Sequence, residues 1–401
     1  MCKKIQSKSF PYIEISGPQN MSRLIGNLLP IVVLSCFAMT PLFAQQGEKI
    51  AFGPYIQQMS TKDVTLCWST LEGAITVKDK LGKSDTIREY KQHKIHLADL
   101  MPNTKYTYDV LNDGSDEGKG TLTTFPESRI PFNFVAIGDT RNRHDVHKKI
   151  VAQVSKLNPR FIVNSGDLVA NGRSMGDWES FFEVNHDFMR NTPYYPVLGN
   201  HEKDSPYYYD FFDLPNNERY YYFTVGDALF IVLDSEGLRT TIPAFTSENM
   251  EDAYWEESGI GYLKTQKAWL EQVLKLNREA GFVFIFQHLP LYSVKKSRVE
   301  ESKRTRKFWG NIFKRHGVQV FINGHDHHYH HAIDKGVHFI TSAGAGAPLY
   351  DIDAVQPETV NYKKTEHFIN VEVNLNEAVL HVIDIDGVEF ETIKVKRRKM
   401  K

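Results

Sequence analysis

Five short polar clusters, each placed after an apolar, β-prone run, constrain this chain more than any other feature. Gly138-Asp139 comes after residues 132–137, Gly166-Asp167 after 161–163, and Gly199-Asn200-His201-Glu202 after 194–198. His288 comes after 282–286, and Gly324-His325-Asp326-His327 after 318–322. Short runs rich in β-branched and aromatic residues read as strands, so the clusters read as strand ends. Open α/β sheets gather their sites at the carboxyl ends of strands. Asp, Asn and His offer the oxygen and nitrogen donors that hard and borderline metals take. The pattern therefore predicts a two-metal centre at one edge of a sheet.

Between and around these strands the periodicity turns helical. Residues 146–157 carry Ile150, Val151, Val154 and Leu157 on one face, 264–276 carry Trp269, Leu270, Val273 and Leu276, and 178–189 read likewise. Residues 303–316 read as one basic helix with Phe308, Trp309, Ile312 and Phe313 turned inward, ended by Gly317. Its basic face is expected to be solvated, and nucleic-acid binding is not expected. This alternation predicts α/β layers from Pro131 onward. Residues 220–225 and 228–234, split by Gly226-Asp227, predict a hairpin, and 339–347 and 368–395 predict hairpins that complete a second sheet. Residues 234–261 lose all periodicity and form a candidate substrate lid. The glycine-rich stretch 342–347 reads as a tight turn beside the site.

Upstream, residues 50–125 show β runs at 64–69, 75–78, 93–97, 105–111 and 120–125 with no helical period, which predicts a small antiparallel sandwich. Trp68 is its expected core plug, Asn112-Asp113-Gly114 a hairpin turn, and 126–131 a linker with a proline at each end. Residues 24–44 are an apolar run behind Arg23, interrupted by Asn27, Pro30 and Pro41 and ending in small and apolar residues. That reads as a secretory signal cut near Ala44, with Met21 as its natural start, and implies a periplasmic or extracellular address. A single membrane anchor is the alternative, but no stable span is expected. Val33-Leu34-Ser35-Cys36 also suggests a lipoprotein box, although apolar sequence continues past it. With Cys2 and Cys36 in the leader only Cys67 remains, which excludes an intramolecular disulfide and a cysteine metal site. A net charge of -1 over 401 residues gives no general attraction to polyanions, so an anionic substrate must be drawn by local charge. Neither a G-x-S-x-G elbow nor a GxxxxGK[ST] loop occurs, so nucleophilic-hydrolase and nucleotide-triphosphatase readings lack support.

Taken in order, GDTR, GDLVA, GNHE, QHLP and GHDH resemble the motif series of the calcineurin-like metallophosphoesterases, and among them the purple acid phosphatase branch. Residues 53–57 and 100–108 resemble the opening and the tyrosine corner of the fibronectin type III module that commonly precedes the catalytic domain in that branch. With the leader read over 1–45, the resemblance implies an N-terminal all-β sandwich, fibronectin type III-like, over 48–126. An α/β metallophosphoesterase domain, two β-sheets flanked by helices, is then expected over 131–396. It also implies two metal ions (Fe, Mn or Zn) bridged by Asp167, with Asp139 and His327 on the first and Asn200, His288 and His325 on the second.

His201 would stabilise the transition state or protonate the leaving alkoxide. Arg141 would fork onto phosphate oxygens or pair with a nearby carboxylate. Glu202 would orient His201 or cap its turn. Asn142, Arg143, His144 and His147 are candidates for the mouth, and His328, His330 and His331 extend the last motif. The implied function is a secreted phosphoesterase that hydrolyses small phosphate monoesters by a metal-bound hydroxide. A phosphodiesterase, including one for cyclic nucleotides, and a catalytically degenerate phosphate-ligand binding protein are the alternatives. Two departures stand out. Arg141 occupies the histidine position of DxH members, and Ala170 the position of the purple acid phosphatase tyrosine. The first metal therefore lacks both fourth ligands that the family supplies, and no tyrosinate colour is expected.

Overall fold

The structure is a computed structural model that describes residues 3–5, 13–16, 49–78, 84–110, 116–241 and 259–399. The apolar run 24–44, the turn at 112–114 and residues 242–258 of the candidate lid lie outside them. Seven strands come first: β1 (Lys3–Ile5), β2 (Ile13–Ser16), β3 (Ile50–Gln57), β4 (Val64–Lys78), β5 (Ser84–Leu97), β6 (Lys105–Asp109) and β7 (Lys119–Thr123). They form two antiparallel sheets, β3-β4-β5 and β1-β2-β6-β7. β1 and β2 fall within the segment read as a leader. The runs expected at 64–69, 75–78 and 93–97 are parts of one long hairpin, paired from Val64 with Leu97 to Lys78 with Ser84. Gly73 does not end the strand; the register shifts between Leu71 and Gly73, as at a bulge. Trp68 is buried as expected, its ring stacked 5.0 Å from that of His93.

The α/β part runs β8 (Phe132–Ile137), α1 (His144–Lys156), β9 (Ile162–Asn164), α2 (Met175–Met189), β10 (Tyr194–Pro196) and α3 (Pro206–Phe211). Next come β11 (Tyr221–Val225), β12 (Ala228–Val232), α4 (Glu236–Thr241), α5 (Gly259–Leu276), β13 (Phe282–Phe286), α6 (Val299–Trp309) and α7 (Ile312–Arg315). The last strands are β14 (Val320–Asn323), β15 (Tyr329–Asp334), β16 (Val337–Ser342), β17 (Thr359–Lys363), β18 (His367–Val373), β19 (Glu377–Asp384) and β20 (Glu389–Lys396). The expected basic helix is broken in two, because Gly310 adopts φ +56° between α6 and α7. Its four inward residues are buried all the same.

Two mixed sheets result, ordered β10-β9-β8-β18-β19-β20 and β11-β12-β13-β14-β16-β15-β17. β15 to β17 complete the second sheet, but β18 to β20 extend the first, with β18 antiparallel to β8. This differs from the sequence expectation. Phe368, Ile369, Val371 and Val373 make β18 almost continuously buried, which suits an interior strand. The sheets are locked face to face by phenylalanines. Phe134 and Phe161 of the first stack 5.1 Å apart, Phe230 and Phe284 of the second 5.2 Å apart, and Phe134 meets Phe230 edge-on at 5.1 Å. Each such pair contributes about 0.5–1.5 kcal/mol beyond its buried area. Together they fix where the two sets of strand ends meet.

The N-terminal strands dock on the first sheet's side. Phe52 stacks on Phe182 at 5.0 Å, Tyr55 Oη donates to the Phe211 carbonyl (2.5 Å), and Gln57 Nε2 donates to the Tyr194 carbonyl (2.9 Å). No helix among the described residues is long and apolar enough to cross a membrane.

Candidate metal centre

Asp139, Asp167 and Asn200 follow β8, β9 and β10 of the first sheet, whereas His288, His325 and His327 follow β13 and β14 of the second. The six predicted ligands thus meet across two sheets and not along one edge. Asp139, Asp167 and His325 have φ of +57°, +56° and +72°, a left-handed backbone that costs a side-chain-bearing residue about 1–2 kcal/mol. Such strain concentrates where function requires a direction that the relaxed chain does not give. Gly166, at φ +98°, leaves room for the next ligand, since a Cβ there would lie 2.6 Å from His288 Nδ1. The glycine-rich turn lies beside the centre as expected: Ala345 and Ala347 N–H donate to the Gly138 and Asp139 carbonyls.

Hydrogen bonds to backbone carbonyls set the tautomers of His288, His327 and His201. His288 Nδ1–H donates to the Ser165 carbonyl (2.9 Å), which leaves Nε2 as a bare lone pair. That lone pair faces His325 Nδ1 at 3.1 Å, Asn200 Oδ1 at 3.2 Å and Asp167 Oδ1 at 3.3 Å. With its proton on Nδ1, His325 would donate to that lone pair; with its proton on Nε2, the two rings turn nitrogen lone pairs toward each other, as ligands of a shared ion do. Two donors about 2.1 Å from a shared ion stand about 3.0–3.4 Å apart in octahedral to tetrahedral geometry. The spacings around His288 Nε2 fall in that range. Asp139, Asp167 and His288 also each place a ligand atom within 4.8 Å of one another, a group that could hold a metal ion, and Asn200 and His325 meet it at the same His288 nitrogen. Burial lowers the proton affinity of His288, but the charges of Asp167 and Asp139 overcome it and raise the net value, another sign of a place made for positive charge.

On the other side, His327 Nδ1–H donates to the Pro348 carbonyl (2.7 Å), and its Nε2 lies 3.3 Å from Asp139 Oδ1, a buried oxygen with no hydrogen-bond donor. Asp139 Oδ2 accepts the His325 N–H (2.9 Å). Arg141 lies here, its side chain only 12% exposed. Its Nε donates to Asp167 Oδ2 (3.1 Å), Nη2 to His327 Nε2 (3.3 Å) and Nη1 to Asn142 Oδ1 (2.5 Å). Of the two roles expected for Arg141, the structure contains the carboxylate pair.

His201 is held by its backbone N–H on Asp167 Oδ1 (3.0 Å) and by Nδ1–H on the Ala170 carbonyl (2.6 Å), with Nε2 turned toward Asp167 Oδ2 at 3.9 Å. The residue that lacks the tyrosine thus orients the histidine through its backbone. Glu202 caps turns and does not touch the His201 ring. Its Oε2 accepts from Asp167 N (3.0 Å) and Gly199 N (2.7 Å), and its Oε1 from Leu168 N (2.8 Å) and Val169 N (3.4 Å). Burial and the Asp167 charge push its carboxyl up to about 8, against N–H donors that favour the ionised form.

Some expected mouth residues lie elsewhere. His147 is buried near the Phe181 ring, where burial holds its pKa down to about 3. Arg143 pins the loop through Glu366 Oε1 (2.8 Å) and the Ala347 carbonyl (2.7 Å). His330 pairs with Thr359 (2.9 Å) and His331 with Glu391 (2.7 Å), away from the ligands, and His328 is buried. Asn142 stays at the exposed rim beside Arg141.

Other groups carried no signal in the chain order. Asp326 accepts from Arg298 Nη1 (2.6 Å) and from the Ser293 hydroxyl, while Arg298 Nη1 also donates to the His325 carbonyl (2.5 Å). The Tyr350 ring stacks 3.9 Å from that of His327, its N–H donates to the His327 carbonyl (2.9 Å), and Lys295 Nζ lies 3.3 Å over the same tyrosine. Asp326 is the third residue of GHDH, a position to which the motif assigned no role. Arg298 and Tyr350 arrive from separate loops.

Residues 132–329 match the calcineurin-like phosphoesterase family. The chain is 25% identical over 285 residues to an uncharacterised protein of Mycobacterium tuberculosis, covering 62% of this chain and 51% of that one. It therefore spans about half the length of that relative. It is 28% identical over 262 residues to tartrate-resistant acid phosphatase type 5 of Rattus norvegicus, covering 56% of this chain and 74% of the phosphatase. In fold it resembles the purple acid phosphatase PPD1 from yellow lupin (Lupinus luteus) seeds, with a TM-score of 0.65 at 16% identity over 86% of this chain and 74% of that one.

Proposed function

From a chain whose residues 132–329 form a calcineurin-like phosphoesterase domain, we propose a metal-dependent hydrolase of phosphate monoesters. The observation that carries this reading is the convergence of Asp167 Oδ1, Asn200 Oδ1 and His325 Nδ1 on His288 Nε2 at 3.1–3.3 Å. A bound divalent ion supplies Lewis acidity toward a phosphoryl oxygen and acidifies the attacking water. The chain's own groups do the rest. Arg141 presents a buried guanidinium to the anionic ester, and Asp167 holds that guanidinium by Nε. His201, with Nδ1–H fixed on the Ala170 carbonyl, keeps Nε2 at the accessible side, where it donates to the leaving oxygen when protonated.

The test is phosphate release from an aryl phosphate by chelator-stripped protein titrated with manganese, zinc or iron. Turnover should follow metal and be abolished in Asn200→Ala. Turnover of an aryl diester without the monoester would move the assignment to a diesterase, and folded protein without either would favour a binding role.

Two further parts of the reading concern the whole chain. Export rests on the composition of residues 24–44 and is tested by the mass of the mature N-terminus in expressing cells. A fibronectin type III-like support role for residues 48–126 rests on the antiparallel sheet β3-β4-β5, the β6-β7 pair and the Phe52–Phe182 docking. It predicts that Phe52→Ala lowers the thermal midpoint and leaves KM unchanged.

A further inference from the structure

The two sides of the centre are not equivalent. His288 Nε2, His325 Nδ1, Asn200 Oδ1 and Asp167 Oδ1 face one another within 3.1–3.3 Å of His288, and Arg141 bonds to none of these atoms. On the first side, Asp139 Oδ1 and His327 Nε2 stand 3.3 Å apart, a spacing that would by itself accept an ion. The difference is Arg141. With Nδ1–H committed to the Pro348 carbonyl, His327 has one lone pair, and Arg141 Nη2–H points into it at 3.3 Å. Arg141 Nε takes Asp167 Oδ2, the other oxygen of the predicted bridging carboxylate. The same guanidinium thus takes up both groups, and as a cation it repels a divalent ion brought alongside it.

We propose that Arg141, and not a metal, fills the first position, so that the centre holds one divalent ion, bound by Asp167, Asn200, His288 and His325. This rests on the phosphoesterase reading above and changes what that site contains. A phosphate ester then lies between one ion and one guanidinium. The guanidinium donates hydrogen bonds to phosphate oxygens but provides no second Lewis acid.

The experiment is a metal count by mass spectrometry on chelator-stripped protein dialysed against manganese, with the electron paramagnetic resonance spectrum of the same sample. Wild type should hold one manganese per chain with the spectrum of an isolated ion. Arg141→His, which frees the lone pair and restores a ligand, should hold two and show exchange coupling between them. Asp139→Asn should leave the wild-type count at one, whereas a dinuclear centre would drop from two to one. It decides the matter even if Arg141→His fails to fold. Two coupled ions in wild type would overturn the inference and leave the phosphoesterase reading standing. No bound ion in folded wild type would overturn both.

Discussion

The first sheet supplies the oxygen donors Asp139, Asp167 and Asn200, and the second supplies the nitrogen donors His288, His325 and His327; the two sets are held by opposite chemistry. On the oxygen side, backbone N–H groups of the ligand loops converge on one buried carboxylate, Glu202. On the nitrogen side, ring N–H groups go to the carbonyls of Ser165 and Pro348, and a guanidinium, Arg298, clamps Asp326 and the His325 carbonyl. Each half is also braced by the other, since Ser165 precedes Asp167 and the His325 N–H is taken by Asp139. Neither sheet carries a preformed half-site. The ligand geometry exists only once the phenylalanine layer has brought the sheets together.

The strongest way to break this comparison is on the nitrogen side. Asp326→Asn should leave Arg298 buried without its charge partner and cost about 3–5 kcal/mol, the usual penalty for breaking a buried pair. The midpoint of chemical denaturation measures it, and a loss under 1 kcal/mol would show that the clamp is not what holds the His325 loop. Glu202→Gln on the oxygen side should cost less, about 1–3 kcal/mol, because Gln keeps one acceptor and turns a donor toward N–H groups that lose theirs. Manganese affinity should fall about 10- to 100-fold in the same variant, as for other groups that orient ligands. An unchanged affinity would mean the turns hold their shape without it.

Acid should loosen both halves together. Burial holds His147 and His367 of the first sheet's side neutral, with pKa down to about 3 and about 4, and does the same for His330 of the second, at about 3. The unfolded chain protonates near pH 6.5 and the folded one far lower, so the unfolded state binds more protons in that window. Stability is full above about pH 6.5 and is lost as pH falls toward these values. Thermal midpoints measured from pH 7 to 4 at constant ionic strength should decline, with a shallower slope in His147→Asn. The smallest expected signal is spectroscopic. With Ala170 at the tyrosine position, iron-loaded protein should show no visible tyrosinate charge-transfer band, and such a band would place a phenolate on the metal.

What the sequence determined by itself was local. Apolar runs closed by Gly-Asp, Gly-Asn-His and Gly-His-Asp-His mark strands and their ends because alternation, β-branching and turn chemistry act over a few residues. All five strands were legible for that reason, whereas the assignment of ligands to each metal came from the resemblance of the motif series. Gly310 shows the limit within one helix, where a single permissive residue split a pattern that read as continuous. Only the tertiary structure decided which sheet each strand joined, and so that β18 to β20 flank β8 and that the centre straddles two sheets. It also decided that Arg141 meets His327 across 186 positions, and that Glu202 serves backbone N–H groups and not its neighbour His201. Such pairings depend on how buried faces stack and on where the last orphaned donors find acceptors. No periodicity in the chain encodes either.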